Sequence, residues 1–164
     1  MKKIKKLIKE LKFDYVNPDI TDKNFPDQPR KGFGPTELMK IDREMTTQEI
    51  LDQMKKDGYE LANSYELLEW AKSNWNGKDW VVGLGSQWID ASGCPRALGF
   101  WGHAGGRGLH LLYCSLDSSW GRHCLFARRR YLGNLDSKTS LDSLQLRILA
   151  LEEFNKKVEK VLKL

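Results

Sequence analysis

Trp80-Val81-Val82-Gly83-Leu84-Gly85 marks the point at which the hydrophobic period of this chain changes. Upstream, apolar residues recur at helical spacing; here β-branched and small apolar residues run together. A short apolar run of this kind predicts a strand buried on both faces. Downstream, Gly108-Leu109-His110-Leu111-Leu112-Tyr113 and Cys124-Leu125-Phe126-Ala127-Arg128 are further apolar pieces cut off by glycine. They predict short antiparallel strands joined by long loops.

Two helices are expected before Trp80. In Thr46-Thr47-Gln48-Glu49 a threonine stands three residues before a glutamate, the reciprocal arrangement that satisfies the free N–H groups opening a helix. Ile50 and Met54 form its apolar face, and Gly58 after Asp57 supplies a stop. The second helix runs from Ser64 to about Asn74, with Ser64 as N-cap and Leu67, Leu68 and Ala71 facing inward. Residues 14–45 hold Pro18, Pro26, Pro29 and Pro35 among polar residues and read as a connecting segment without extended regular elements. Gly32-Phe33-Gly34-Pro35 lacks any phosphate-loop spacing and predicts a turn.

Both ends of the chain are amphipathic. Ile4, Leu7, Ile8 and Leu11 fall on one stripe of a lysine-rich helix over residues 1–13. That stripe is expected to pack on its own domain or a sister chain, in preference to an anionic membrane. Residues 140–163 carry Leu144, Ile148, Leu151, Phe154, Val158 and Val161 along a second stripe. Pairing or oligomerisation through these terminal helices is expected. Lysines interrupt the apolar core of what would be a secretory leader, and no small-residue cleavage site follows. No apolar run approaches the roughly 18–20 residues of a membrane span. The expectation is a chain without signal peptide or span, cytoplasmic or virion-associated.

Residues 89–124 differ from everything around them. All three His (His103, His110, His123) and all three Cys (Cys94, Cys114, Cys124) lie there, with seven of the fourteen Gly. A random placement would do this to the six residues about once in ten thousand. The window has no Lys, Glu, Gln, Asn, Met, Thr or Val, although lysine abounds on both sides. Aromatic, His and Arg side chains interleaved with Gly and Ser are the composition of binding loops, which offer large contact area for few rotatable bonds. The window is therefore expected to be a display surface that lacks regular structure, with Gly102 to Gly108 as a flexible loop.

Catalysis, cofactors and metals find little support. His123 beside Cys124 suggests a base and nucleophile, but neighbours on a strand point to opposite faces. The odd number of cysteines, without CxxC spacing, predicts no zinc site and weakly implies a reducing compartment. A net charge of +5 invites a basic nucleic-acid-binding protein, with the lysine-rich ends and Arg128-Arg129-Arg130 on phosphates, as the alternative reading.

The order helix, helix, Trp-apolar-apolar-Gly-Leu, then irregular strands resembles the C-type lectin-like domain. Residues Gly58 to Trp70 look like the passage between that family's helices, and Trp80 to Gly85 like the strand that follows. The family's disulfide cysteines are missing from the helices, and no Glu-Pro-Asn or Trp-Asn-Asp calcium motif is present. More narrowly, Gly85-Ser86-Gln87-Trp88 through Phe126-Ala127-Arg128-Arg129 is similar to the variable regions of retroelement-diversified proteins of archaea, viruses and small-genome bacteria. In those proteins, errors copied at adenines turn Asn codons into codons for Gly, Ser, Cys, His, Arg, Leu, Tyr and others, never Lys, Glu, Gln, Met or Trp. The window obeys this rule except at Trp101 and Trp120.

The resemblance covers residues 46–130 and implies an α+β C-type lectin-like fold, preceded by residues 1–45 and followed by an amphipathic helix over 131–164. It implies a hypervariable surface that binds an unknown protein or cell-surface ligand, without catalysis or cofactor. The varied positions would be Ile89, Ala91, Cys94, Arg96, Gly99, His103, Gly106, Gly108, His110, Leu112, Ser115, Ser118, Gly121, His123 and Cys124. Trp88, Trp101, Trp120 and Phe126 would be constant scaffold. Truncation before residue 140 is expected to lower the melting temperature or dissociate an oligomer; unchanged melting and unchanged size by light scattering would count against a role for the last stripe.

Overall fold

The computed structural model describes residues 3–133 without a break, with helical positions 145, 148–153 and 156 beyond them. The chain divides into two compact units, Met1–Tyr131 and Leu132–Leu164. In the second unit Ile148 and Leu151 are helical and exposed. Leu144, Phe154, Val158 and Val161 of the same stripe lie outside the described residues.

The first unit is a mixed α+β body built around a sheet. Its elements are α1 (Ile4–Leu11), β1 (Tyr15–Val16), β2 (Phe33–Lys40), β3 (Met45–Thr46), α2 (Thr47–Lys56), β4 (Tyr59–Leu61), α3 (Ser64–Asn74), β5 (Trp80–Ile89), β6 (Pro95–His103), β7 (Gly106–Tyr113), β8 (Ser119–Trp120) and β9 (Cys124–Tyr131). The main sheet has the order β1-β7-β6-β5-β9-β2, with β4 also paired to β9, while β3 and β8 form a separate ribbon. Most pairs are antiparallel as expected. However, β5 lies parallel to β9 and β1 parallel to β7. The chain between β5 and β9 passes through three other strands, long enough for the crossover that a parallel pair requires.

Side chains alternate across this sheet into two cores. Val81, Leu98, Phe100 and Leu109 point to the face covered by α1 and α3, where Ile4, Leu7, Leu11, Leu67, Leu68 and Ala71 meet them. Val82, Leu84, Ala97 and Phe126 point to the other face, under Ile50 and Met54 of α2 and Trp120. The two-residue period of a strand thus accounts for the unbroken apolar run at 80–85, whose Val81 and Val82 are both buried. The stripe of α1 packs on its own unit, and Lys5, Lys6 and Lys9 remain exposed.

The N-termini of α2 and α3 are closed by capping boxes. Thr46 accepts from the Glu49 amide at 3.2 Å, and the Glu49 carboxylate accepts from the Thr46 amide at 2.8 Å. Gly58, at φ +76, follows the end of α2. In α3 the cap is Asn63, one residue earlier than expected. The Asn63 side chain accepts from the Glu66 amide and the Glu66 carboxylate from the Asn63 amide. Asn63 and Glu66 have the reciprocal spacing that Ser64 and Leu67 lack. Ser64 is instead buried in the first turn, donating its amide to the Ser86 hydroxyl at 2.9 Å.

Two further expectations are corrected. The segment 14–45 contains β2, an eight-residue strand of the main sheet whose first three residues are Phe33, Gly34 and Pro35 of the expected turn. The pairing of β2 with β9 skips between Phe33 and Thr36, so Pro35 sits where no ladder hydrogen bond is required of it. The window 89–124 is largely regular: β6 and β7 form a hairpin whose turn is Ala104-Gly105, so Gly102 to Gly108 is strand and tight turn.

Glu66 joins the connecting segment, α3 and β9. Its carboxylate accepts from Arg30 and Arg129, each at 2.5 Å, and Arg129 also donates to the Gly34 and Phe33 carbonyls. Burial raises the carboxyl pKa of Glu66, but Arg30, the Asn63 amide and Arg129 outweigh it and hold the group below the usual range. Because the folded value is depressed, this stabilisation is present above the unfolded carboxylate pKa and is lost as pH falls through the folded value. Glu66→Gln is expected to cost about 3 kcal/mol, since Arg129 loses its counter-charge and, among the described residues, Arg30 keeps only the exposed Glu60 at 3.5 Å. Urea denaturation of variant and parent should also converge in acid; a constant difference down to pH 2 would refute the assignment.

Candidate functional site

The second core covers only part of its sheet face. Trp80, Trp101 and His110 have the same parity as Val82, Ala97 and Leu112 but lie beyond the reach of α2. A row of rings crosses the sheet there in the order of the strands. Tyr15 of β1 packs on His110 of β7 at 5.0 Å; His110 stacks on Trp101 of β6 at 4.1 Å and 10°. Trp101 stacks on Trp80 of β5 at 4.0 Å and 3°, and His123, just before β9, meets Trp80 at 4.9 Å and 90°. Each such ring pair contributes about 0.5–1.5 kcal/mol beyond its buried area. The row is therefore a rigid surface feature.

Glycines next to the row decide how the rings lie. A Cβ on Gly108 would stand 2.3 Å from His110 Nε2, and one on Gly121 would stand 2.8 Å from the His123 ring. Each histidine thus leans over the glycine two residues before it. At Gly102 the obstacle is backbone, because a Cβ would meet the Gly77 carbonyl oxygen. Gly106 is held at φ +120, a conformation that strains other residues.

Beside Tyr15 and His110 lies a concavity of about 410 Å³, lined also by Asp14, His103 and Arg107. Asp14 accepts the Arg107 amide at 2.7 Å, and the Arg107 guanidinium turns to the Leu11 and Lys12 carbonyls. The Gly105 amide donates to His103 Nδ1 at 2.9 Å, which leaves the proton of the neutral ring on Nε2. Burial, and then His103, push the His110 pKa below its ordinary value, so the stacked imidazole is neutral at pH 7.

The expected varied positions divide into two groups. Ile89, Ala91, Cys94 and Arg96 lie at or beside the β5–β6 turn, close to the end of β7 at Leu112 and the loop bearing Ser115 and Ser118. His103, Gly106, Gly108, Gly121 and His123 lie toward the other end of the strands, and His110, opposite Gly99 at the middle of β6, stands between the two groups. β6 is nine residues long, so the two ends are roughly 25 Å apart. The turn is clipped by Asp90, whose carboxylate accepts from the Ser92 and Cys94 amides and from Arg96 Nε.

Of the expected varied positions, Gly99, Gly108 and Cys124 are buried. Leu112 covers Gly99, His110 covers Gly108, and Cys124 belongs to the second core, where burial raises its thiol pKa. Gly106 is restricted by its backbone. Among the constant positions, Trp120 and Phe126 are buried against each other, and the Trp120 indole donates to Thr47 Oγ1 at 2.9 Å. Trp88 packs on the first core. Trp101 is instead the centre of the exposed row. Tyr15 and Trp80 lie outside the window, and composition offered no signal for either; only strand register brings them to it.

Of the arginine run, Arg128 pairs with Glu37 and Asp57 and Arg129 with Glu66. Arg130 lies over the Tyr59 ring at 4.3 Å. Among the described residues no group of three potential metal ligands occurs. No helix among them is long and apolar enough to cross a membrane.

No protein-family model, curated protein or solved structure matches this chain. The site rests on its own geometry. Gly108→Ala is expected to lift His110 off Trp101, red-shifting tryptophan emission while lowering stability by only about 1 kcal/mol. Gly102→Ala, opposed by backbone, should fail to reach the same folded state. Equal effects of the two substitutions would refute the distinction.

Proposed function

We propose that this protein is a non-catalytic ligand-binding protein of C-type lectin-like fold, whose 89–124 region is a retroelement-diversified surface for a protein or cell-surface ligand. The observation that carries the reading is the coincidence of two restrictions on one segment. Its residue types are those reachable from mutated Asn codons, apart from its two tryptophans. Its side chains also stand on strands anchored by two cores, so they can change without moving the main chain. Support for the fold comes from the antiparallel pairing of β2 with β9, two capped helices between β2 and β5, and a hairpin that carries the window.

Within this reading Trp80 and Trp101 form a constant spine, and His110 and His123 are its varied flanks. Binding uses ring contacts and donors from a preorganised surface, which limits the entropy lost on association. The nucleic-acid alternative is weaker because Arg128 and Arg129 are engaged within the unit. Sequencing sibling copies from the source population tests the proposal. Substitutions should concentrate at Ile89, Ala91, Cys94, Arg96, His103, His110, Leu112, Ser115, Ser118 and His123, with Trp88, Trp101, Trp120 and Phe126 unchanged. A reverse transcriptase and an adenine-rich near-repeat should lie in neighbouring DNA. Substitutions spread evenly along the chain would overturn it.

A further inference from the structure

We infer that the outer edge of β7 pairs with an extended segment of a partner polypeptide, a binding mode that rests on the display reading above. β7 is second from the end of the sheet, and β1 covers it only at Gly108 and Leu109. Beyond Val16 the chain turns away. Pro18 follows Asn17, and the Asn17 carbonyl, which would come next in the ladder, accepts the Ile20 amide at 3.1 Å. The Asn17 side chain accepts the Asp19 amide at 3.0 Å and closes the same turn.

Main-chain groups of β7 alternate between its two sides. The carbonyls of Arg107 and Leu109 accept from the Asp14 and Asn17 amides, whereas the Cys114 amide donates to Pro95 of β6. The two-residue period therefore aims the amides and carbonyls of Leu111 and Tyr113 away from β6. None of these groups has a hydrogen-bond partner among the described residues. The edge is also unguarded. His110-Leu111-Leu112-Tyr113 include no lysine, proline or register break, while β2 at the opposite edge carries Pro35, a register break and the exposed Lys40. Charges, prolines and bulges are what keep a sheet edge from pairing, and the end of β7 lacks them.

What stands beside the edge points to the occupant. Tyr113 is about half exposed opposite Arg96, whose guanidinium lies over the Tyr113 ring at 5.8 Å, and Ile89 is exposed opposite Pro95. The varied positions Ile89, Cys94, Arg96, Leu112 and Ser115 thus gather at the end of the sheet where the main chain of β7 is free. Strand addition takes affinity from main-chain hydrogen bonds and selectivity from neighbouring side chains. Changing those side chains then changes the partner without dismantling the pairing. A second copy of this chain is the poorer occupant. Antiparallel pairing of β7 with itself about Leu112 would set Ser115 of the copy opposite Leu109, where Val16 already lies.

The test selects binders of the full chain from a displayed library of random linear peptides and remakes an enriched peptide with single N-methylated residues. Methylation at alternate residues is expected to weaken binding at least tenfold, and methylation at the residues between them to leave it within twofold. Hydrogen exchange followed by NMR should find the Leu111 and Tyr113 amides fast and the Leu112 amide slow in the free chain, and all three slow with peptide bound. Tyr113→Pro, which removes an outward N–H without touching the β6 ladder, should weaken binding at least fivefold more than Tyr113→Thr. If Tyr113→Pro does not fold, the methylation and exchange patterns decide alone. Absence of any enriched peptide, indifference to methylation at every residue, slow Leu111 and Tyr113 amides before peptide is added, protection that falls on β2, or equal affinity of two folded Tyr113 variants would each overturn the inference. The two readings fail apart: sibling copies that vary evenly strike the display reading, whereas a peptide indifferent to methylation strikes only the edge pairing.

Discussion

A sheet whose central strands are apolar on both faces needs two covers, and in this protein the covers are unequal. α1 and α3 together bury Val81, Leu98, Phe100 and Leu109. On the other side α2 and Trp120 reach Val82, Leu84, Ala97 and Phe126 but not the start of β5 or the end of β6. Exposed valine or leucine there would leave an apolar patch open to association. The positions are filled by Trp80, Trp101 and His110, which cover one another by stacking and keep polar atoms for solvent or a ligand. The aromatic row is thus a direct consequence of where the second cover stops.

What holds the covers in place is largely polar. Glu66 caps α3 and pairs with Arg30 and Arg129, so one carboxylate fixes the helix, the connecting segment and the last strand of the sheet. Gly85 allows the start of α3 to sit directly on the irregular part of β5, because a Cβ there would meet the Ala62 carbonyl. This closeness brings the Ser64 amide to the Ser86 hydroxyl. The first core is therefore closed by main-chain approach as well as by side-chain volume, and the hairpin built on it is rigid where a glycine-rich segment alone would be mobile.

Much of the framework was legible in residue order. The Thr46 capping box, the Gly58 stop, the buried strand from Trp80 and the inward stripe of α1 each rest on local spacing, and local spacing survives folding. β2 was hidden because Pro35 breaks a strand pattern, and only its place in a bulge beside β9 makes it harmless. Ser64 and Asn63 are both good cap residue types, and only the three-residue spacing from Asn63 to Glu66 makes the reciprocal pair that closes α3. The regular structure of the window was hidden because its seven glycines suggested loops, whereas several of them make room for a neighbouring ring or main chain.

By itself the sequence determined which residue types are concentrated in 89–124, the helices that precede them and the apolar run that anchors them, since these depend on composition and short-range period. The tertiary structure alone decided which of those residues share a face. Strand register carries Tyr15 and Trp80 from outside the window into one row with His110, Trp101 and His123. It also places the Ile89 to Arg96 positions at the opposite end and buries Cys124. Neighbours across a sheet are set by hydrogen-bond pairing between distant segments, and no local pattern encodes that pairing.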